Sequence, residues 1–184
     1  MKDLKHLFTL ERLLDDVDNE LVRKAQEDGR KCIGNICFQT PEVLMDLPGT
    51  FTIRLRAPRS GSMDMATYYM TSFLCEFSRA ILERAIEGGF ECLDALVAPD
   101  GCTMINRCVE NMELLNTMPK ENFYYQYLEV PMKDDDNGLN LYVSECRKKI
   151  LQPLHDTFGI DISDDALRTA VENYNKVCRV INEI

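Results

Sequence analysis

Four short apolar runs, each separated from the next by a stretch of different periodicity, constrain this chain more than any other feature. They are CIGNICF (32–38), FTIRLRA (51–57), LDALVAP (93–99) and FYYQYLEVP (123–131). Most are rich in β-branched or aromatic residues, and turn or proline signals close them, which is how strands read. Residues 63–87 between the second and third runs read as two helices broken near Ser72 and stopped by Gly88-Gly89. Residues 103–117 read as one more helix. A chain that inserts helices between its strands makes parallel pairs through right-handed crossovers. The pattern therefore predicts an α/β fold. Its centre is a small four-stranded, mostly parallel sheet flanked by helices, flavodoxin- or Rossmann-like, with further helices at both termini.

The flanks are read in the same way. Leu4, Leu7, Phe8, Leu10, Leu13, Leu14 and Val17 recur at helical spacing, so 3–28 reads as one amphipathic helix. Pro41 opens a short helical segment, 41–47. Residues 139–158 read as a helix that Pro153 should kink or break. Ser163 reads as the N-cap of a last helix, 164–183, with Asp164 and Asp165 facing its positive end. This divides the chain into a helical segment 1–31, an α/β domain 32–160 and a C-terminal helix 161–184.

Composition narrows the function. The 184 residues carry a net charge of -10, and no basic patch stands out, which argues against nucleic acid and anionic lipid as partners. No run approaches the roughly 18 apolar residues of a membrane span. The chain has eight cysteines and two histidines, and its first residues lack the apolar centre of a secretion signal. The length and the 45% hydrophobic content suffice for a core without staples, so the reading is a reducing cytoplasm and free thiols. No GxGxxG, P-loop or HExxH motif occurs.

In an open parallel sheet, ligands bind beyond the carboxyl ends of the strands. The residues falling there are Gln39, Thr40, Pro41 and Glu42, then Pro58, Arg59 and Ser60, then Asp100, Gly101 and Cys102, then Met132 and Lys133. Cys75 and Cys102 both open helices on that edge. A helix N-terminus stabilises thiolate over thiol, which suits iron–sulfur or zinc ligation. A shared site requires both on one face of the sheet. No CxxC pair supports them. Cys37, at the end of the first strand, lies close to the same edge. Cys32, Cys92, Cys108, Cys146 and Cys178 read as small buried hydrophobes.

The segment FLCEFSRAILERAIEGGFECLDALVAPDGCTMINR (73–107) resembles the cluster-binding region of the 2-hydroxyacyl-CoA dehydratase / benzoyl-CoA reductase family. There, a cysteine opens a helix carrying Ser-Arg. A Gly-rich turn, an apolar strand and Pro-Asp-x-Cys follow. GNICFQTPEVLMDLPGTFTIRLRA (34–57) is similar to the family's Gly-x-x-Cys-x-x-x-Pro-Glu block and the Arg-bearing strand after it. The tail 162–184, with Tyr174 and Asn175, resembles a family helix. Thr103 and Val43 depart from acidic residues usual at those places.

The resemblance implies an iron–sulfur lyase. Cys75 and Cys102 match two ligands of a 4Fe–4S cluster, and Cys37 matches a frequent cysteine of the Pro-Glu block. Glu42 matches an acidic residue near the substrate, a candidate proton carrier. Ser78 and Arg79 match the helix after the first ligand, where capping and a surface ion pair would account for them. The implied reaction is reductive, ketyl-radical dehydration of a CoA thioester, with a second dehydratase subunit and an ATP-dependent activator that donates the electron. The resemblance places the third cluster ligand, which has no counterpart here, in an absent second α/β domain toward which the C-terminal helix 161–184 leads. Three alternatives stand beside this reading: a benzoyl-CoA reductase-type or other ATP-driven reductase subunit, a non-catalytic assembly subunit with an incomplete cluster site, and a zinc site of Cys37, Cys75 and Cys102 for hydrolysis.

Overall fold

The computed structural model describes residues 4–57 and 61–183. Pro58, Arg59 and Ser60, expected at the carboxyl end of the second strand, lie outside the described residues. Four strands form one sheet: β1 (Lys31–Asn35), β2 (Thr50–Arg54), β3 (Ala95–Pro99) and β4 (Tyr124–Leu128). Their order is β2-β1-β3-β4, and every pair is parallel. The expected sheet is present, and its strands are shorter than the apolar runs that encode them.

Side-chain alternation along the strands builds two cores. Cys32, Leu96 and Ala98 face one side, under α2 (Glu20–Glu27), α4 (Glu76–Ile86) and α5 (Thr103–Leu114). Ile33, Ala95 and Val97 face the other. That side is covered by α6 (Asp136–Cys146), α7 (Gln152–Phe158) and α8 (Asp164–Asn182). β3 is buried along its whole length, as a central parallel strand with both faces covered must be. Gly34 in β1 is required by this packing: a Cβ there would fall 2.8 Å from Leu93 Cδ1 and 3.1 Å from Leu96 Cδ1.

The N-terminal segment departs from expectation. It forms two helices, α1 (Lys5–Leu14) and α2, rather than one. Asn19 divides them. Its side-chain oxygen accepts the N–H groups of Leu21 and Val22, capping α2, and its amide donates to the carbonyls of Leu13 and Asp16, closing α1. The apolar stripe of α1 is not buried: Leu4, Leu7, Phe8, Leu10 and Leu14 all face outward. The segment after Pro41 is a single 3-10 turn, Glu42–Leu44.

Residues 136–158 differ from the expected break. The helix starts at Asp136, capped by the Asp135 carboxylate on the Gly138 N–H at 2.7 Å. It runs on through a π turn, Arg147–Leu151, into α7. Pro153 lacks an N–H and crowds the carbonyl four residues earlier. The wider turn just ahead of it absorbs both faults without interrupting the helix. Gly159, at φ 68°, ends α7 in a left-handed conformation. Ser163 caps α8 as expected, accepting the Ala166 N–H. α3 (Asp64–Tyr69) and α4 are separated near Ser72, also as expected.

Asp94 fastens the amino-terminal edge of the sheet. Its Oδ2 accepts the Cys32 N–H at 2.8 Å and its Oδ1 accepts Lys120 Nζ at 3.0 Å. Lys120 also donates to the Leu93 carbonyl at 2.8 Å. One carboxylate thus joins β1 and the approaches to β3 and β4. Asp94→Ala strips the acceptor from the Cys32 N–H and from the exposed Lys120 ammonium, and should cost about 1–2 kcal/mol. A urea titration should show a lowered midpoint with an unchanged slope, and an unmoved midpoint would show that the cluster contributes nothing.

Candidate functional site

Because all four strands are parallel, their carboxyl ends and the helices that start beyond them share one edge. The strand order reverses between β1 and β3, so the crevice of the fold lies between the loop after β1 and the loop after β3. Both loops carry residues singled out from the sequence.

Cys75 and Cys102 are the N-cap residues of α4 and α5. These helices pack against each other on one face of the sheet, and both thiols are exposed. The N–H of Ser78 stabilises the Cys75 thiolate most, and burial opposes it. The Ser78 hydroxyl, the Phe77 N–H and the Arg79 charge add further support, so the thiol lies below its ordinary range. Ser78 is buried in the first turn of α4. Arg79 donates to the Leu74 carbonyl and the Thr67 hydroxyl, tying α3 to the start of α4 rather than making the expected surface ion pair.

The loop before Cys102 is braced from two sides. The Asn106 amide donates to the Asp100 carboxylate. Gly101 lies against Gln39, and a Cβ there would fall 2.5 Å from Gln39 Oε1. Gln39 is itself held by the Tyr142 hydroxyl, which donates to its carbonyl at 2.8 Å. Cys37 stands in the turn after β1, not within the strand, with its sulfur 3.9 Å from Gln39 Oε1. Gln39 thus connects the Cys37 turn, the Cys102 loop and α6. Beyond β4, Val130, Met132, Leu139 and Tyr142 line a cleft of about 310 Å³ on the same edge.

Glu42 begins the 3-10 turn after β1 and is half-buried. Its Oε1 accepts Arg54 Nε at 2.8 Å, Arg54 Nη2 at 2.5 Å and Asn35 Nδ2 at 3.3 Å. Asn35 and Arg54 are the last residues of β1 and β2 and face each other in the parallel register. Asn35 is fully buried. Tyr174 of α8 lies close by. The neighbouring Cys178 thiol, burial and the Glu42 charge raise its hydroxyl above the ordinary phenol range, and Arg54 acts the other way.

The remaining cysteines divide as burial dictates. Burial pushes Cys32 and Cys146 up to about 11, and Cys92 and Cys108 up to about 12, with the Cys75 charge adding to the effect at Cys108. These four are inert core residues at neutral pH. Cys178 is a correction: it lies half-buried beside Tyr174, outside the core. Among the described residues, no three of the types His, Cys, Asp and Glu converge as a metal site. The alternative zinc trio of Cys37, Cys75 and Cys102 is therefore not assembled. Two exposed thiols capping neighbouring helices fit part of a cluster's ligand set and need further ligands to complete it. Sequence reasoning missed Arg54 and Asn35. Both sit at strand ends, and only the pairing register brings them together.

The chain is similar to several known proteins. Residues 37–184 match the family model described as 2-hydroxyglutaryl-CoA dehydratase, D-component. The chain is 23% identical to the (R)-phenyllactyl-CoA dehydratase beta subunit of Clostridium sporogenes, covering 89% of this chain and 42% of that one. It is 24% identical to a benzoyl-CoA reductase subunit of Thauera aromatica, covering 95% and 45%. It is 21% identical to the beta subunit of (R)-2-hydroxyglutaryl-CoA dehydratase of Acidaminococcus fermentans, covering 89% and 44%. The chain spans less than half the length of these relatives. With the family model matching from the turn of Cys37 through α8, the chain belongs to the 2-hydroxyglutaryl-CoA dehydratase D-component family.

Proposed function

We propose that this chain is a subunit, or part of a subunit, of a 2-hydroxyacyl-CoA dehydratase, and that Cys75 and Cys102 are two of the thiolate ligands of its 4Fe–4S cluster. The observation that carries the reading is the pair of exposed thiols capping two adjacent helices at the carboxyl edge, inside the region matched by the family model. A thiolate is the form that binds iron, and the Cys75 surroundings favour it. When bound, such a cluster supplies one-electron reduction of the CoA thioester. The chain's own residues do the rest. Glu42 stands at the same edge with one oxygen held by Arg54 and Asn35 and receives or returns the proton at the other. Gln39 sets the spacing between the Cys37 turn and the Cys102 loop. Cys37 is a reserve ligand beside that loop. The ligand set and the wall of the site are completed by a second dehydratase subunit, and an ATP-dependent activator supplies the electron. The similarity to a benzoyl-CoA reductase subunit supports related reductive chemistry on a CoA thioester as a second reading.

Two measurements test this. The chain is purified anaerobically, alone and with the products of neighbouring reading frames, and assayed for iron and sulfide. The co-purified protein should be brown. Cys75→Ser and Cys102→Ser should each drop its iron to the level of the double variant, whereas Cys178→Ser should retain it. A colourless protein in both preparations removes the cluster and favours an assembly role.

The second measurement follows alkylation by iodoacetamide, read by mass spectrometry across pH. Cys75 should react with a midpoint below the roughly 8.5 of a free thiol. Cys32, Cys92, Cys108 and Cys146 should stay unmodified until the chain unfolds. Equal rates at Cys75 and Cys178 near neutral pH would contradict the thiolate assignment.

A further inference from the structure

The Glu42 site holds more organisation than an acid–base residue needs. Three N–H donors converge on one oxygen, Oε1, at 2.5, 2.8 and 3.3 Å. Among the described residues, Oε2 has no hydrogen bond, although the side chain keeps 26% of its exposure. The donors come from the carboxyl ends of two adjacent strands, so the sheet itself sets their separation. Asn35 is fully buried and cannot turn away, and its β1 carbonyl is engaged by the Leu55 N–H at 2.7 Å. α8 packs on the 3-10 turn that carries Glu42, and the charges of Glu42 and Arg54 both act on Tyr174 of α8.

An exposed ion pair of this kind is worth little as a stabiliser, about 0–1 kcal/mol. Its value here is geometric. A guanidinium offers a rigid planar fork, and using two of its prongs on a single oxygen fixes the carboxylate's rotation about its last bond. A free carboxylate could exchange a proton through either oxygen. This one is left with a single available oxygen in a fixed direction.

We propose that Arg54 and Asn35 are positioning residues for Glu42, clamping Oε1 so that proton exchange with the substrate runs through Oε2 alone. This rests on the reading of Glu42 as the proton-carrying residue. The balance is simple: a proton leaves the substrate, the electron pair of its broken bond stays on the substrate, and the proton bonds to Oε2 to make a carboxylic acid; its return to the substrate restores the carboxylate and the ion pair with Arg54. No other reactant takes part.

The test uses the full chain labelled with carbon-13 in its tyrosine rings, with the Tyr174 signal followed across pH. The variants are Arg54→Gln, Glu42→Gln, both together, and Arg54→Lys. Arg54→Gln should move the Tyr174 midpoint up, because the Glu42 anion is left uncompensated. Glu42→Gln should move it down. The two changes should combine non-additively, since each residue holds the other in place. Additive shifts, or an unmoved midpoint in a chain that circular dichroism shows to be folded, would overturn the proposal.

In the assembled enzyme, Arg54→Gln should lower kcat about tenfold or more with KM nearly unchanged. Arg54→Lys, which keeps the charge and loses the fork, should recover only part of the loss. A raised KM with full kcat would make Arg54 a substrate-binding residue and overturn the positioning role. The titration needs no cluster. Iron-free co-purified protein together with the expected Tyr174 shifts in the variants would therefore sink the dehydratase reading and leave the clamp standing, and the reverse result would sink the clamp alone.

Discussion

The parallel pairing of β1 with both β2 and β3 governs everything else in this structure. Parallel strands need crossovers, and the helices of those crossovers must begin beyond the carboxyl ends of the strands. Helix N-termini and strand ends are thereby collected on one edge. Cys75 and Cys102 both stand at helix starts on this edge because α4 leads into β3 and α5 leads out of it. Arg54 meets Asn35 because β1 and β2 run in register. An antiparallel arrangement of the same strands would scatter these groups over both edges. Asp94 and Lys120 secure the opposite edge, where no candidate site residue lies.

Where periodicity and local chemistry agree, the fold was legible in the sequence. β3 reads plainly because LDALVAP is apolar on both faces and bounded by turn residues, which is what a central parallel strand needs. α8 reads plainly because Ser163 and two aspartates mark its start. The failures have local causes. Helical spacing continues across residues 15–19, yet Asn19 offers the backbone a stronger local partner and divides the helix. Periodicity also shows that α1 is amphipathic without showing what its apolar side meets, and in this structure that side meets solvent. Cys178 escapes sequence reasoning for a related reason. α8 buries only Ala166 and Ala170, so a cysteine late in that helix need not be core.

The site was legible in unequal parts. Exposed cysteines at helix starts are a local feature, and Cys75 and Cys102 stand out from the other six on that basis. Glu42 was reached through the Pro-Glu block. Arg54 was hidden because a polar residue in an alternating strand has an ordinary explanation, an outward face. What distinguishes it is the register with Asn35 and the 3-10 turn that returns Glu42 to the strand ends, and both are tertiary facts. Gln39 was visible as an edge residue. Its contact with Gly101 depends on the approach of two loops that the sequence keeps far apart.

The two halves of the edge answer different physical demands. At Cys75, the demand is for a particular charge state, and backbone N–H groups at a helix start meet it while leaving the sulfur open. At Glu42, the demand is for direction, and side chains from two strands meet it by occupying one oxygen and leaving the other. Backbone N–H groups at a helix start suit the first task because they stabilise charge without closing off the sulfur. Rigid strand ends suit the second because, under the proposed proton-carrying role, transfer works only over a short, aligned path. The edge is still open to water, with Phe73 at 97% exposure and Met132 at 103%. Charges there are screened, and their interactions are weak. Geometry does not depend on that screening, and the proposed Arg54–Asn35 clamp acts through geometry.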